Sequence, residues 1–160
     1  MSPSLDASEL TTIHALAMSI ALEVGALQMQ HLPGERTVNS KSTPTDAVTE
    51  VDHAAEALIV KRILEARPDD SILGEEGASQ EGTSGVHWVV DPLDGTVNYV
   101  YRRGDFAVSL GVQVDGVPTV GVVRDPSRGE TYHAILGRGA FRNDTPIRVS
   151  DATDLGHSLV

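Results

Sequence analysis

The spacing of apolar residues changes once along this chain, and that change restricts the folds open to it. Before residue 68, apolar residues recur every three or four positions, which is typical of amphipathic helices. From residue 71 onward, short apolar or alternating segments are separated by Gly, Asp and Pro turn signals, which is typical of antiparallel strands. The pattern therefore predicts an α+β fold, with two helices packed on one face of an antiparallel sheet.

The first predicted helix contains the apolar positions between Leu10 and Leu27. Asp6 and Ser8 are both candidates for its N-cap, because their side chains can accept backbone N–H groups of the first turn. Pro33-Gly34 ends it. A second helix is predicted from about Val48 to Arg67, before Pro68.

The predicted strands are short and close together in sequence. They are the segments SILGEE (71–76), HWVVD (87–91), FAVSLGVQV (106–114), TVGVVRD (119–125), ETYHAIL (130–136) and AFRNDTPIRVS (140–150). Turn signals join the later ones, at Asp115-Gly116, at Pro126–Gly129 and at Gly137–Gly139. Proline at position 92 lacks the N–H group that a strand ladder needs, so the chain is expected to leave the sheet there.

Composition limits the classes of partner. With 23 acidic and 12 basic residues, the chain of 160 residues has a formal net charge of −11. That charge repels nucleic acid phosphates and anionic lipid surfaces, and it favours bound cations. There is no cysteine, which excludes disulfides and thiolate metal sites. We expect a cytoplasmic protein with no membrane span and no nucleic acid partner.

Two acidic clusters follow apolar strands. Glu75 and Glu76 come directly after SIL, and Asp91 comes after WVV, with Asp94 three positions later. Fifteen positions separate Glu76 from Asp91, enough for both strand ends to meet at one edge of the sheet. Carboxylates this close repel each other unless a proton or a cation lies between them, and hard metal ions prefer such oxygen ligands. Two metal ions bridged by such carboxylates would hold a phosphate and lower the pKa of a bound water, which is the chemistry of two-metal phosphoester hydrolysis.

Simpler interpretations of the same residues stay open at this point. An Asp-Pro-x-Asp-Gly segment alone is most often a turn with an Asx hydrogen bond. A Glu-Glu pair alone is most often a solvated surface feature. The combination favours a site, because ordinary solvated carboxylates have no reason to end two apolar strands.

Five segments together resemble the inositol monophosphatase family, in that order and at its spacings. They are KSTPTD (41–46), TEVD (49–52), GEE (74–76), WVVDPLDGTVN (88–98) and GRGAF (137–141). The resemblance covers about Lys41 to Ser150, with a compatible helix before it. It implies the N-terminal half of a layered αβαβα sugar-phosphatase fold, and a magnesium-dependent, lithium-sensitive phosphomonoesterase that is commonly a homodimer. Mn²⁺ is a possible substitute for Mg²⁺.

The resemblance also implies roles for individual residues. The implied metal ligands are Glu75, Asp91, the carbonyl of Leu93, and Asp94, with Asp91 bridging two ions. Thr96, paired with Asp52, acts with Glu75 to orient and deprotonate the attacking water. The amides of Gly95 and Thr96 hold the phosphate. Lys41 and Asp46 lie on a loop near the site, and Glu76 is a supporting acid.

The resemblance implies hydrolysis of inositol 1-phosphate or a similar small sugar or polyol phosphate. Related fructose-bisphosphatase, nucleotide 3′-phosphatase and histidinol-phosphatase activities are alternatives within enzymes. A different class of alternative is a truncated, non-catalytic half-domain that binds cations or a partner. Residues 1–155 are predicted to form the metal-binding domain and 156–160 to begin a further, C-terminal domain. Apolar surface that such a domain would cover is expected around Val120, Val122 and Ile135.

Overall fold

The computed structural model describes residues 5–32 and 44–154. In chain order its elements are α1 (Ala7–Gln30), α2 (Pro44–Ala66), β1 (Ser71–Gly74), β2 (Ser79–Gln80), β3 (Val86–Asp94), α3 (Thr96–Val100), β4 (Ala107–Val114), β5 (Val117–Asp125), β6 (Glu130–Ile135), β7 (Ala140–Arg142) and β8 (Thr145–Ile147). The predicted α+β class is confirmed. The predicted domain boundary after residue 155 stays a prediction, because residues 155–160 lie outside the described part of the chain.

The first helix begins and packs as its sequence pattern predicts. Asp6, one of the two candidate caps, accepts the backbone N–H groups of Ser8 and Glu9 at 2.8 Å each. The residues that recur every three or four positions form its buried side, including Ile13, Ile20 and others. This side packs against α2, β4 and β5. By length and composition alone α1 is apolar enough to cross a membrane, but in this fold its apolar side covers the sheet.

The second helix begins four residues earlier than the sequence predicts. It starts at Pro44, not near Val48, and ends at Ala66, as expected before Pro68. Proline is favourable in the first turn of a helix, because the N–H group that it lacks would have no partner inside the helix there. Further along α2, Ala55, Ile59 and Ile63 are fully buried in the core shared with α1 and the sheet.

The eight strands form one sheet, in the order β2-β1-β3-β4-β5-β6-β7-β8. From β3 to β8 every neighbouring pair is antiparallel, as predicted. The pair β1 and β3 is parallel, which corrects the prediction of a purely antiparallel sheet. The reason is β2, which pairs antiparallel with β1 at the edge and returns the chain, so that β3 runs in the same direction as β1.

Two of the predicted strands differ in extent in ways that bear on the fold. β3 continues through Pro92 to Asp94, whereas the sequence predicts that the chain leaves the sheet at the proline. An irregularity in register between Asp91 and Asp94 accommodates the missing N–H group, and pairing resumes between Asp94 and Ala107. The last predicted strand is a hairpin of β7 and β8, with Asn143 at positive φ in the turn.

The two faces of the sheet differ in exposure. Val120, Val122 and Ile135, predicted to lie on uncovered apolar surface, instead belong to or pack against the core beneath the helices. That prediction is wrong, because the alternation along β5 turns Val120 and Val122 toward α1. Some of the exposed apolar residues lie on the opposite face of the sheet, where Leu73 and Val89 stand side by side.

Side chains from β6 and the following turn form hydrogen bonds with α1. The His14 Nε2 and His133 Nδ1 atoms are 3.0 Å apart, and their rings are tilted at 49°. Arg138 donates to the Thr11 hydroxyl at 2.8 Å and to the Ala7 carbonyl at 2.7 Å. These contacts join parts of the chain that are more than 100 positions apart.

A buried carboxylate fixes the end of α2 to the sheet. Asp70 is 1% exposed and accepts the Trp88 indole N–H at 2.9 Å and the Ser84 hydroxyl at 2.7 Å. It also forms an ion pair with Arg67. We expect Asp70→Ala to lower the free energy of unfolding by about 3 kcal/mol, because it leaves a buried indole N–H and a guanidinium without partners.

Urea unfolding measures this change, with Glu81→Ala as the control for removing an exposed acid. The control is expected to stay within about 0.5 kcal/mol of wild type. Equal effects of the two substitutions would show that the Asp70 network contributes nothing to stability.

Stability is expected to fall in mild acid through His14. Burial, His133 and Arg138 lower the pKa of His14 below its usual value of 6.5. The unfolded chain therefore takes up this proton first, so His14 contributes stability that is lost as pH falls below about 6.5. Between pH 8 and pH 5, acidification should affect the unfolding midpoint of His14→Gln less unfavourably than that of wild type. Exposed His53, changed to Gln, is the matched control, and an equal change in all three proteins would contradict the assignment.

Candidate functional site

The parallel pairing of β1 and β3 brings the two acidic clusters together. Gly74, the last residue of β1, pairs with Val90, the residue before Asp91. The N–H group of Glu75 donates to the Val90 carbonyl at 3.1 Å, so the turn after β1 stays against β3. Glu75 and Asp91 are thus neighbours in space, as the sequence predicts.

Asp91 is the centre of this group of carboxylates. Burial raises its pKa to about 6, together with a hydrogen bond to Glu75 and the negative charges of Glu75 and Asp94. The N–H group of Leu93, which donates to Asp91 Oδ1 at 3.0 Å, acts in the opposite direction. The raised pKa of Asp91 therefore reflects burial first, and then the closeness of Glu75 and Asp94.

The chain turns sharply after β3. Gly95 has φ 82° and ψ 35°, in the left-handed region that favours glycine. A Cβ atom at this position would lie 2.7 Å from the Asp105 carbonyl oxygen, so a side chain is excluded by space as well. The short helix α3 begins at the next residue, Thr96, whose hydroxyl donates to the Leu93 carbonyl at 3.0 Å.

A small apolar cluster holds this turn in place. Leu93 and Tyr99 are buried together with Val51 and Phe106. The Tyr99 and Phe106 rings meet edge to face, with centroids 4.9 Å apart. Burial raises the pKa of Tyr99 to about 12, so its hydroxyl remains a donor.

Gln28 of α1 links that helix to the same turn, and the sequence analysis did not identify it. Its carbonyl oxygen on the backbone accepts the Tyr99 hydroxyl at 2.6 Å, and its side-chain amide donates to the Pro92 carbonyl at 2.7 Å. Gln28 is fully buried. A polar residue on the apolar side of a predicted helix was the available signal, because buried polar groups need partners.

Asp52 of α2 faces the carboxylates but is not paired with Thr96. It is 6% exposed, and its Oδ1 atom has no hydrogen-bond partner. Burial raises its pKa to about 7, with contributions from Glu76, Asp91, Glu75 and Glu56. The pairing with Thr96 implied by the family resemblance is absent among the described residues, because the threonine hydroxyl donates to Leu93.

The remaining predicted residues lie at the edges of the site or outside the described part. Asp94 is exposed at the end of β3 and lines a cavity of about 220 Å³ together with Asp105, Asp125 and Tyr132. The Glu76 side chain is exposed on the turn after β1. Lys41 lies outside the described residues, and so does the side chain of Asp46, whose backbone is in α2.

The donor set fits a hard divalent cation. Among the described residues no three His, Asp or Glu side chains are arranged as a ready metal site. The buried Asp52 Oδ1 nevertheless lacks a partner, and burial, with added repulsion from neighbouring carboxylates, raises the pKa values of Asp52 and Asp91. A cation would supply the missing positive charge, and Mg²⁺ prefers an all-oxygen environment of this kind. The residues that could bind it are Glu75, Asp91, Asp94 and the Leu93 carbonyl.

Glu56 is a second residue that the sequence analysis missed. It lies one helical turn after Asp52 and is 8% exposed. Its carboxylate accepts the backbone N–H groups of Glu76 and Ala78, both at 3.1 Å. The spacing of four positions from Asp52 was the available signal, because it puts the two acids on one side of α2.

Known proteins resemble this chain in sequence and in structure. It is 38% identical to the inositol-1-monophosphatase of Bacillus subtilis (strain 168), over 86% of this chain and 52% of the relative. It is 43% identical to Nus factor SuhB of Escherichia coli (strain K12), over 76% of this chain and 46% of the relative. The solved structure of inositol monophosphate bound SaIMPase-II matches with a TM-score of 0.73 at 35% identity, over 88% of this chain and 51% of that one.

The chain thus spans about half the length of the relatives that it matches. The model of the inositol monophosphatase family matches residues 9–160, which includes both acidic clusters and the turn at Gly95. This chain belongs to the inositol monophosphatase family.

Proposed function

We propose that this chain provides the metal-binding part of a magnesium-dependent phosphomonoesterase. One observation carries the proposal: Glu75 and Asp91 lie side by side, with Asp94 close enough to help raise the pKa of Asp91. Carboxylates in such positions repel each other unless a cation neutralises them. Mg²⁺ is the proposed ion, and Mn²⁺ is a possible substitute, because both accept oxygen ligands.

The proposed ligands come from two sequence segments. Glu75 follows β1, while Asp91, the Leu93 carbonyl and Asp94 lie at the end of β3. Asp91 is the proposed bridge between two ions. The Leu93 carbonyl accepts the Thr96 hydroxyl, and its second lone pair is available to a cation. Bound divalent cations lower the pKa of a coordinated water and offset the charge of a phosphate.

Acid–base and phosphate-binding roles follow from burial and position. Burial and the neighbouring carboxylates raise the pKa of Asp52 to about 7 in the metal-free protein, so this carboxyl group can take up and release a proton near neutral pH. Asp52, Glu75 and Thr96 are proposed to orient and deprotonate the attacking water. The N–H groups of Gly95 and Thr96 lie at the start of α3, where helix amides have no partner inside the helix, and are proposed to hold the phosphate.

The proposed substrate is inositol 1-phosphate or a similar small sugar or polyol phosphate. Its support is the name of the B. subtilis relative and the ligand of the solved staphylococcal one. We also infer a cytoplasmic homodimer. The net charge of −11 disfavours direct binding to nucleic acid or to anionic membranes.

A second candidate function is binding of a protein partner without turnover. The observation that favours it is the 43% identity to an E. coli relative named Nus factor SuhB. Magnesium-dependent release of phosphate, sensitive to substitution of Asp91, separates the two candidates, because a binding module has no need of a reactive metal site.

Loss of one carboxylate should weaken metal binding. We expect Asp91→Asn to lower the affinity for Mg²⁺ by at least about tenfold, because the amide carries no charge and Asp91 lies beside Glu75 and Asp94. Calorimetric titration measures the affinity. Glu81→Gln, at an exposed position, is the matched control and should bind like wild type. An unchanged isotherm for Asp91→Asn would show that Asp91 is not a ligand.

Substitutions at Asp91 and Thr96 should lower turnover more than they weaken substrate binding. Asp91→Asn and Thr96→Ala are expected to lower kcat for inositol 1-phosphate by about 100-fold or more, with a smaller change in KM, because both act chiefly in the transition state. Initial rates of phosphate release give both parameters. Activity should require Mg²⁺ and fall with Li⁺. Hydrolysis that persists in excess chelator would rule out a metal-dependent mechanism.

A further inference from the structure

The carboxylate of Glu56 accepts hydrogen bonds from backbone N–H groups and is largely shielded from solvent. It lies on α2, is 8% exposed, and directs both oxygens at the turn after β1. Oε2 accepts the N–H group of Glu76, and Oε1 accepts that of Ala78. Hydrogen bonds from N–H groups to an ionised carboxylate are stronger than those between neutral groups.

Two backbone hydrogen bonds add to the attachment of the turn that carries Glu75. The N–H group of Glu75 donates to Val90 on β3, and the N–H group of Gly74 donates to the Ala78 carbonyl at 2.7 Å. The turn that carries Glu75 is thus held by β3 on one side and by Glu56 of α2 on the other. Its backbone has little freedom to move Glu75 away from Asp91.

Gly74 leaves the space that the Glu56 carboxylate occupies. A Cβ atom at residue 74 would lie 2.0 Å from Glu56 Oε2 and 3.0 Å from the Ala78 Cβ atom. A Cβ contact this short requires one of the two groups to shift, so any larger residue at 74 displaces the flexible Glu56 carboxylate. The φ angle of Gly74 is not in the left-handed region, so the requirement for glycine here is space and not backbone conformation.

We propose that Glu56 is a positioning residue, which holds the turn after β1 so that Glu75 reaches the metal beside Asp91. The inference rests on the proposed function, because the metal is the reason for placing Glu75 there. Glu56 itself is not a ligand in this proposal, since both of its oxygens already accept backbone N–H groups.

Glu56→Gln is the sharpest test. Glutamine keeps the size of the side chain but replaces one acceptor oxygen with an amide NH₂ group, which only donates, so one of the two backbone bonds is lost. We expect amide hydrogen exchange at Glu76 or Ala78 to become about tenfold faster in the metal-free protein. Mg²⁺ affinity, measured by calorimetry, should fall by about tenfold. Glu65→Gln, on the same helix and 58% exposed, is the control, with neither change expected.

Gly74→Ala, Glu56→Ala and the double variant test the packing of the Glu56 carboxylate against Gly74. Gly74→Ala alone should speed the same amide exchange and weaken Mg²⁺ binding, because the new methyl group displaces the carboxylate. Glu56→Ala vacates that space, so adding Gly74→Ala to it should cause little further change in unfolding midpoint. Full additivity of the two substitutions would overturn the proposed contact.

The outcomes separate this inference from the proposed function. Unchanged exchange at Glu76 and Ala78 in Glu56→Gln overturns the positioning role, whatever happens to the metal. Faster exchange with an unchanged Mg²⁺ affinity also overturns it. A wild-type chain that binds no Mg²⁺ overturns the proposed function and the metal-directed role with it, while faster exchange in Glu56→Gln would still establish the attachment of the turn.

Discussion

The parallel pairing of β1 with β3 is the constraint on which the site depends. β1 is only four residues long, yet its alignment with β3 sets Glu75 against the residue before Asp91. Bringing carboxylates together in a half-buried position is unfavourable, as the raised pKa of Asp91 indicates. The surrounding fold offsets that cost with the apolar core beneath the sheet and with the hydrogen bonds that hold both turns. The acidic site is therefore stabilised by the scaffold and not by its own side chains.

Much of the fold could be predicted from local patterns. The periodicity of α1 and the alternation along β4 indicate which side of each element is buried. The glycine-containing turns indicate where the chain reverses. All of this information lies within a few residues. The parallel β1–β3 pair could not be predicted, because β2 has only two residues and no pattern of its own. Likewise, nothing local to Pro92 indicates that pairing resumes at Asp94, since the partner strand supplies that register.

The site was predictable where chemistry depends on side-chain type. Acidic residues at strand ends indicated Glu75, Asp91 and Asp94 from the sequence. Gln28 and Glu56 were missed because each binds backbone groups, and the sequence does not show where the backbone of a distant segment lies. The pairing of Thr96 with Asp52 was not found for a similar reason, because the threonine hydroxyl donates to the nearby backbone carbonyl of Leu93.

The contacts of Arg138 and His133 with α1 have a consequence for the order of folding. The strands β4 to β8 are joined by short turns, so each of these pairs forms between neighbours in the chain. The contacts of His133 and Arg138 join the start of α1 to residues 119 to 131 positions later, and closing so long a loop is entropically costly. During synthesis α1 leaves the ribosome before the strands on which it packs. Its apolar side stays partly uncovered until the residues of β4 and β5 have been made, and the contacts with His133 and Arg138 form only after β6 and the following turn have been made.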